Sequence, residues 1–437
     1  MSPACFMLSA ETAGGIRHYG PLTRKYREMR TVQMSFCNVR KKIAAALAGL
    51  GILGCCWLPA GAQASERGRV PEYRDAQVEV VRSGPTLMFS DSPEMVYETG
   101  ILYSDVMKGD SRVFFHHVNG MKKKVKLAVL IRPAGNRPVT VTWGTRGIGD
   151  PDSDYFVTAK NSQRRYFRDY RKREKEWLSS ASEEARKAAE KANDYSFYRD
   201  NPHLETSILL PGDYYEVLTR NKNSWNSGIT MRPEDLMTGM VDFTVNRPAE
   251  VLVVMYPADV SLETFLKTAK QLPMDEHPLR GTYEKADLTY TLKDPLALKQ
   301  GESVGLAMGR ENDPHFIKGP DAVTGQITED YGNYGVVYHI RYRLAGLLPV
   351  TLSVNPWGGD FSGTGLLRHG EEIAVADMPG ETLSFGDGEE TAEVGRIFPK
   401  QSVPDGEFLW SPPGASNLPI RLFWTAESGA DYISRRH

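Results

Sequence analysis

The chain has 437 residues, 25% of them charged, 41% apolar and 10% aromatic, a globular composition with room for two domains. This excludes a disordered or collagen-like polymer, and 40 glycines with 27 prolines favour turns and short strands over long helices. Beyond the N-terminal region no apolar run reaches the roughly 18 to 20 residues of a spanning helix, which excludes a polytopic membrane protein.

From Met34 the order of segments is that of a bacterial secretory signal. Arg40, Lys41 and Lys42 form a basic start, Ile43 to Leu58 an apolar core, and Ala62-Gln63-Ala64 sets small residues at a cleavage point. The exported chain is expected to begin at Ser65, with residues 1–33 an upstream extension and 34–64 the signal. A competing reading takes Ile52-Leu53-Gly54-Cys55 as a lipobox, whose Cys55 would be acylated and held at a membrane. All four cysteines (Cys5, Cys37, Cys55, Cys56) precede the cut. The processed chain therefore has no disulfide, thiolate nucleophile or cysteine-ligated metal. Removing residues 1–64 takes out eight basic and two acidic residues and leaves a net charge of −8. That balance argues against non-specific nucleic-acid binding.

Residues 65–80 are polar and predict a flexible linker. Between 81 and 258 come short runs rich in β-branched and aromatic residues: TLMF (86–89), RVFFHHV (112–118), VKLAVLI (125–131), VTVTW (139–143), MVDFTV (240–245) and EVLVVMY (250–256). Their length and spacing predict an antiparallel β-sandwich. Alternation in VTVTW and in Val125, Leu127, Val129 and Ile131 predicts a sheet with one buried face. Residues 161–198 interrupt the strands with an Arg-, Glu- and Ala-rich stretch of high helix propensity. Tyr166, Tyr170, Trp177, Ala181, Ala185 and Ala188 mark its apolar stripe, and Ser180 with Glu183 fits a capping box. This insert is either a partner-binding projection or a solvated helix packed on one sheet edge. A connector at 259–285 leads to a second β-sandwich over 286–430, with ADLTYTL, VVYHIRYRL, VTLSV, EIAVA and IRLFW as strands. The expected fold is mainly β: two tandem antiparallel Ig-like sandwiches with a helical insert in the first. An aromatic strand, a glycine turn, an alternating strand and Pro-x-Gly recur in both halves, around Gly120 and Gly346, as an internal duplication would produce.

The string GDSRVFFHHVNGMKKKVKLAVLIRPAGNRPVTV, with NYGVVYHIRYRL and NPWGGDFSG, resembles uncharacterised secreted proteins of Firmicutes-type bacteria. Some of those carry copper-amine-oxidase-like N-terminal repeats. The resemblance implies an envelope protein and no particular catalysis. An oxidase itself is rejected: Asn333-Tyr334 is followed by Gly335 instead of an acidic residue, and no His-x-His pair occurs.

Other chemistry is thin. His116 and His117 are adjacent, so on a strand they point to opposite faces and cannot share a metal. Asp150, Asp152 and Asp154 alternate like the start of a calcium loop, though Tyr155 and Asn161 stand where an EF-hand needs glycine and glutamate. They remain the one metal candidate, for calcium, against an ordinary turn. Gly-x-Ser-x-Gly is absent around Ser362. The binding candidates are two aromatic turns, NPWGGDFSGTG (355–365) with Trp357, Asp360 and Phe361, and EFLWSPPGASNLP (407–419) with Trp410. Such loops either present aromatics to a glycan or protein, or fold back to seal the core. The expectation is a non-catalytic exported envelope module binding protein or glycan through sandwich-end loops. The alternative is an envelope polysaccharide hydrolase using a carboxylate pair.

Overall fold

The computed structural model describes residues 67–186, 201, 203–224, 227–370, 372–399 and 405–427. The signal segment, the upstream extension and Cys55 lie outside these residues. Strands begin at once. β1 (Arg67–Arg69), β2 (Arg74–Asp75) and the start of β3 (Val78–Ser83) occupy half of the stretch expected to be a flexible linker. β1 and β2 are edge strands with every side chain exposed, which is why their composition reads as a linker: an edge needs only backbone pairing on one side.

Next come β4 (Thr86–Ser90), β5 (Met95–Val96), β6 (Gly100–Asn119), β7 (Val125–Pro133) and β8 (Val139–Ile148), then helix α1 (Tyr155–Ser180). After the helix follow β9 (Thr206–Leu209), β10 (Tyr215–Glu216), β11 (Asn221–Lys222), β12 (Ile229–Met231) and β13 (Leu236–Pro257). The short helix α2 (Leu262–Leu266) and β14 (Arg280–Tyr283) fall within the expected connector. The rest comprises β15 (Asp287–Leu292), β16 (Ser303–Met308), β17 (Lys318–Pro320), β18 (Ile327–Glu329), β19 (Val337–Arg343) and β20 (Val350–Asn355). It ends with β21 (Gly363–His369), β22 (Glu372–Met378), β23 (Glu390–Ile397), β24 (Asp405–Trp410) and β25 (Ile420–Ala426).

Strands β4 to β14 make one eleven-stranded sheet around the long pair β6 and β13, which run antiparallel along their whole length. A register shift between Val245 and Ala249 changes the neighbours of β13 from β8 to β7. The sheet closes there on one core holding Phe115, Val129, Val241 and Val253. Trp143 of β8 meets Tyr215 of β10 across it, with ring centroids 4.6 Å apart. Strand β8 alternates buried and half-buried as its sequence predicts. Strand β7 does not, because Leu262 of α2 packs with Ala128 and Leu130 and buries the second face as well.

Two six-stranded sheets form the remainder, in the orders β1-β23-β20-β25-β16-β2 and β22-β21-β24-β19-β15-β3. They meet through Tyr342 and Trp424, whose rings lie 5.6 Å apart. The sheets are mixed, not purely antiparallel: β15/β19, β2/β16 and β4/β6 run parallel. Because β3 pairs with β15, the large sheet is an insertion between two neighbouring strands of another sheet.

The expected insert is a helix, but it starts at Tyr155 and packs on four strands of two sheets, β8 and β13 of one and β21 and β22 of the other, instead of projecting. Its buried residues Ala159, Gln163, Tyr166, Tyr170, Glu174 and Trp177 follow the helical repeat. Gly147 on β8 allows the close approach, since a Cβ there would collide with the Ser162 carbonyl. On the other side Lys160 donates to the carbonyls of Pro379, Thr382 and Leu383 at 2.6, 3.1 and 3.2 Å. Arg164 pairs with Asp377 at 2.6 Å. The helix ends at Ser180, with Ala181 extended. Ser182, not Ser180, caps the following turn by accepting from the Ala185 N–H. Ala185 is exposed, and residues 187–200, including Ala188, lie outside the described residues.

Candidate binding site

The aromatic turns fold back. Trp410 and Phe361 are both 0% exposed, with ring centroids 6.3 Å apart and planes tilted by 40°, and Tyr338 and Phe385 complete the packing. Trp357 is half-buried between the guanidinium groups of Arg310 and Arg421, at 5.1 and 4.5 Å from its ring. Asp360 is exposed, and its backbone carbonyl accepts from Asn417. The four candidates therefore build no open aromatic platform: two of them seal the core, the other outcome open to such loops.

The three aspartates do not converge either. Asp150 pairs with Arg165 at 2.5 Å, and Asp152 accepts the Asp154 N–H at 2.8 Å. Among the described residues no group of three or more metal-ligating side chains is arranged to hold an ion. His116 and His117 do point oppositely, yet neither meets solvent, because the loop at Gly414 covers His116. His117 Nδ1 lies 2.9 Å from the Pro93 carbonyl, so Nδ1 donates and Nε2 accepts from Ser90 Oγ, also at 2.9 Å. This serine–histidine pair is fully buried and out of a substrate's reach. Burial pushes the His117 pKa down to about 4.

Other ionisable clusters are likewise enclosed. Arg112 on β6 is held by Asp242 and Asp287, each at 2.6 Å, and also reaches the Gly335 carbonyl and Tyr166. Glu407 faces Arg368 at 2.7 Å, Arg341 at 3.1 Å and His339 at 3.5 Å, while Arg368 also pairs with Glu174 of α1. Burial opposes ionisation of Glu407, but His339, Arg368 and Arg341 hold its carboxyl well below the usual range. Burial raises Glu174. Glu174 and Glu407 thus form a carboxylate pair, but both acids are buried, with an arginine between them.

The open surface lies elsewhere, at the end of the large sheet where β5, β6 and β7 meet. Asn119, at the end of β6, is fully buried and shapes the turn. Its Oδ1 accepts the Met121 N–H at 3.0 Å and its Nδ2 donates to the Lys123 carbonyl at 2.9 Å. The turn so held presents Lys122, Lys123 and Lys124 outward, all exposed. Tyr97 lies against it. A Cβ on Gly120 would sit 2.9 Å from two atoms of the Tyr97 ring, so only glycine lets the ring rest there. Even so supported, Tyr97 is 74% exposed.

Two cavities share Glu98 and Thr99, and Tyr97 lines one of them. One, of about 550 Å³, is lined by Tyr97, Gly120, Met121, Lys122 and Lys123. The other, of about 460 Å³, runs between Thr99 and the segment after α2, with Thr264, Phe265, Thr268 and Lys270 on its wall. Both fall in the size range of ligand sites. The wall of the second is fixed by Gln271, which donates to the carbonyls of Ile101 and Leu102 at 2.9 and 3.1 Å. Exposed hydroxyls, an aromatic face and flexible ammonium groups suit reversible binding of a polar ligand. Sequence reasoning passed over these residues; the Asn-Gly turn followed by three lysines was the available signal.

No protein-family model matches the chain, and no curated protein matches it. Among solved structures it is similar to a vicilin from tomato, Solanum lycopersicum, at 8% identity over 78% of this chain and 85% of that one, TM-score 0.10. It is also similar to a mutant oxalate decarboxylase from Bacillus subtilis, at 10% identity over 81% and 82%, TM-score 0.10. Likenesses at this level carry no argument about fold or activity.

Proposed function

We propose that the protein is an exported, non-catalytic module of the bacterial cell envelope that binds glycan through the Tyr97 groove. The observation that carries this reading is an aromatic ring 74% exposed, propped on Gly120 and lining one of two adjoining cavities. A bare aromatic face beside hydroxyls and amines stacks on a sugar ring while its neighbours take up the hydroxyl groups. Secretion rests on the segment Arg40 to Ala64. In fold terms, the facing six-stranded sheets support a β-sandwich for the C-terminal half, and the parallel pairs depart from an Ig-like topology. The rival hydrolase reading has less support, since Glu174 and Glu407 are buried.

The test is binding of soluble envelope-type oligosaccharides by calorimetry, with reducing-end release measured in parallel. Tyr97→Ala should weaken binding about tenfold, the scale of one lost aromatic contact, while Trp357→Ala leaves it unchanged. Reducing ends released by the wild-type protein would establish the hydrolase instead.

A further inference from the structure

We infer that the groove selects anionic glycans, with Lys122, Lys123, Lys124 and Lys270 as the charge-reading residues. The inference rests on the glycan-binding reading above and names the ligand class.

Its basis is exposed ammonium charge gathered at one place. Lys172, Lys222, Lys267 and Lys318 each sit on a carboxylate, at 3.7, 2.5, 3.4 and 3.1 Å. Among the described residues, Lys108, Lys175, Lys285, Lys293 and Lys299 have no carboxylate partner, but each stands singly in the sequence. Among the described residues, Lys122, Lys123, Lys124 and Lys270 make no such pair either. Three of them are consecutive on a turn whose backbone is pinned by buried Asn119, so their spacing is fixed although their side chains are free. The fourth stands on the wall of the second cavity. Glu98 is the one acidic side chain lining either cavity. Three lining cations, Lys122, Lys123 and Lys270, against one lining anion, with Lys124 next in the turn, concentrate positive potential at the groove of a chain whose net charge is −2.

The geometry favours a polymer over a single small anion. The two cavities adjoin at Glu98 and Thr99, so successive sugar units can occupy both, and Tyr97, on the wall of the first, can stack on one ring. Carboxylate or phosphate groups spaced along such a chain would meet the lysine turn on one side and Lys270 on the other. A lipid surface fits less well: Val260, Phe265 and Leu272 on the second cavity's wall are half-buried or buried, and among the described residues lining either cavity Tyr97 is the one large apolar side chain that is exposed. A nucleic acid would need a wider basic face than this turn supplies.

The experiment compares four probes on the full chain: polygalacturonate, its fully methyl-esterified neutral form, poly(glycerol phosphate), and vesicles of phosphatidylglycerol in phosphatidylcholine. Wild-type protein should bind polygalacturonate at least tenfold more tightly than the neutral ester. Raising salt from 0.05 to 0.2 M should weaken that binding roughly thirtyfold, as expected for about three charge contacts. A variant carrying Lys122→Gln, Lys123→Gln and Lys124→Gln should lose most of the salt dependence and the preference. These side chains are exposed, and an unchanged melting temperature confirms that the variant folds. Retained preference for poly(glycerol phosphate) in place of polygalacturonate supports the proposal and assigns phosphate as the charge read. Equal binding of the neutral ester, indifferent to the lysines but lost in Tyr97→Ala, overturns the anionic preference and leaves the glycan reading standing. No glycan binding at all overturns both, and tight lysine-dependent binding to vesicles alone replaces the glycan with a membrane surface.

Discussion

Replacing Arg112 with leucine tests whether the two halves are locked by buried charge. The guanidinium makes two bonds to Asp242, at 2.6 and 3.2 Å, one to Asp287 at 2.6 Å, one to the Gly335 carbonyl at 3.0 Å and one to Tyr166 at 3.2 Å. Those partners belong to the large sheet, the facing six-stranded sheet, the loop before β19 and helix α1. Burial alone would lower the Arg112 pKa, but Asp242 and Asp287 hold it well above the ordinary value. Leucine fills part of the volume and removes every bond. Asp287, 1% exposed, and Asp242 are then left facing each other with Tyr166 Oη still donating to Asp242. Removing one partner of a buried ion pair costs about 3–5 kcal/mol, a large share of a typical folding free energy of about 5–15 kcal/mol. Urea unfolding should show that loss, with amide exchange in β6 and β19 no longer coincident because the link between sheets is cut. Adding Asp287→Asn to Arg112→Leu should restore about 1–3 kcal/mol by removing one stranded charge. A loss below about 1 kcal/mol in the single variant, with one coincident transition, would refute the reasoning.

Three further outcomes follow from the buried ionisable groups. Burial pushes Asp330 up to about 8, although the backbone N–H groups of Tyr334, Gly332 and Asn333 favour its ionised form. The unfolded chain releases that proton near 3.8, so stability should fall as pH rises from about 4 to about 8, and Asp330→Asn should flatten the decline in pH-dependent melting. His117 works in the opposite sense: it stays neutral to about 4 when folded, so its contribution is complete above 6.5 and lost as pH falls from 6.5 to 4. The loss is about 3 kcal/mol by linkage, and His117→Gln should abolish it in acid titration of stability. Lys160, lowered to about 8 by burial, holds three carbonyls of the loop after β22. Lys160→Met should cost about 2–4 kcal/mol in urea unfolding and expose the amides of 379–383 to exchange; unchanged protection there would show that the ammonium does not anchor the loop.

Local patterns were legible in the sequence. The VTVTW alternation and the Tyr166, Tyr170 and Trp177 stripe both lie where their spacing places them. What the pattern cannot carry is the second covering layer. The run 125–131 reads as half-buried until α2 is laid over it, and of His116 and His117 one reads as solvent-facing, whereas both are buried, with the loop at Gly414 over His116. The aromatic turns at Trp357 and Trp410 had two outcomes, and the choice depended on contacts among Tyr338, Phe361 and Phe385, remote in sequence. Arg112, Asp242 and Asp287 are 130 and 175 positions apart, beyond any periodicity. The Tyr97 site was missed for a simpler reason: its lysines lie on a turn, and a lone tyrosine twenty-odd residues upstream gives no sign that Gly120 will support it.

The placement of β3 beside β15 has a consequence for how the chain assembles. The strand ending at Ser83 has to wait for a partner that begins at Asp287, with the whole eleven-stranded sheet between them. The two crossing segments lie side by side, the Ala286 N–H donating to the Pro85 carbonyl at 3.0 Å. A large sheet that forms first would bring these ends together and turn a closure across some two hundred residues into a local encounter, which is where the entropy of loop closure is saved. The first residues of the described chain are then among the last to settle. The same adjacency makes the large sheet a cassette: its entry and exit form one hinge point, where a different insert could be carried without disturbing either six-stranded sheet.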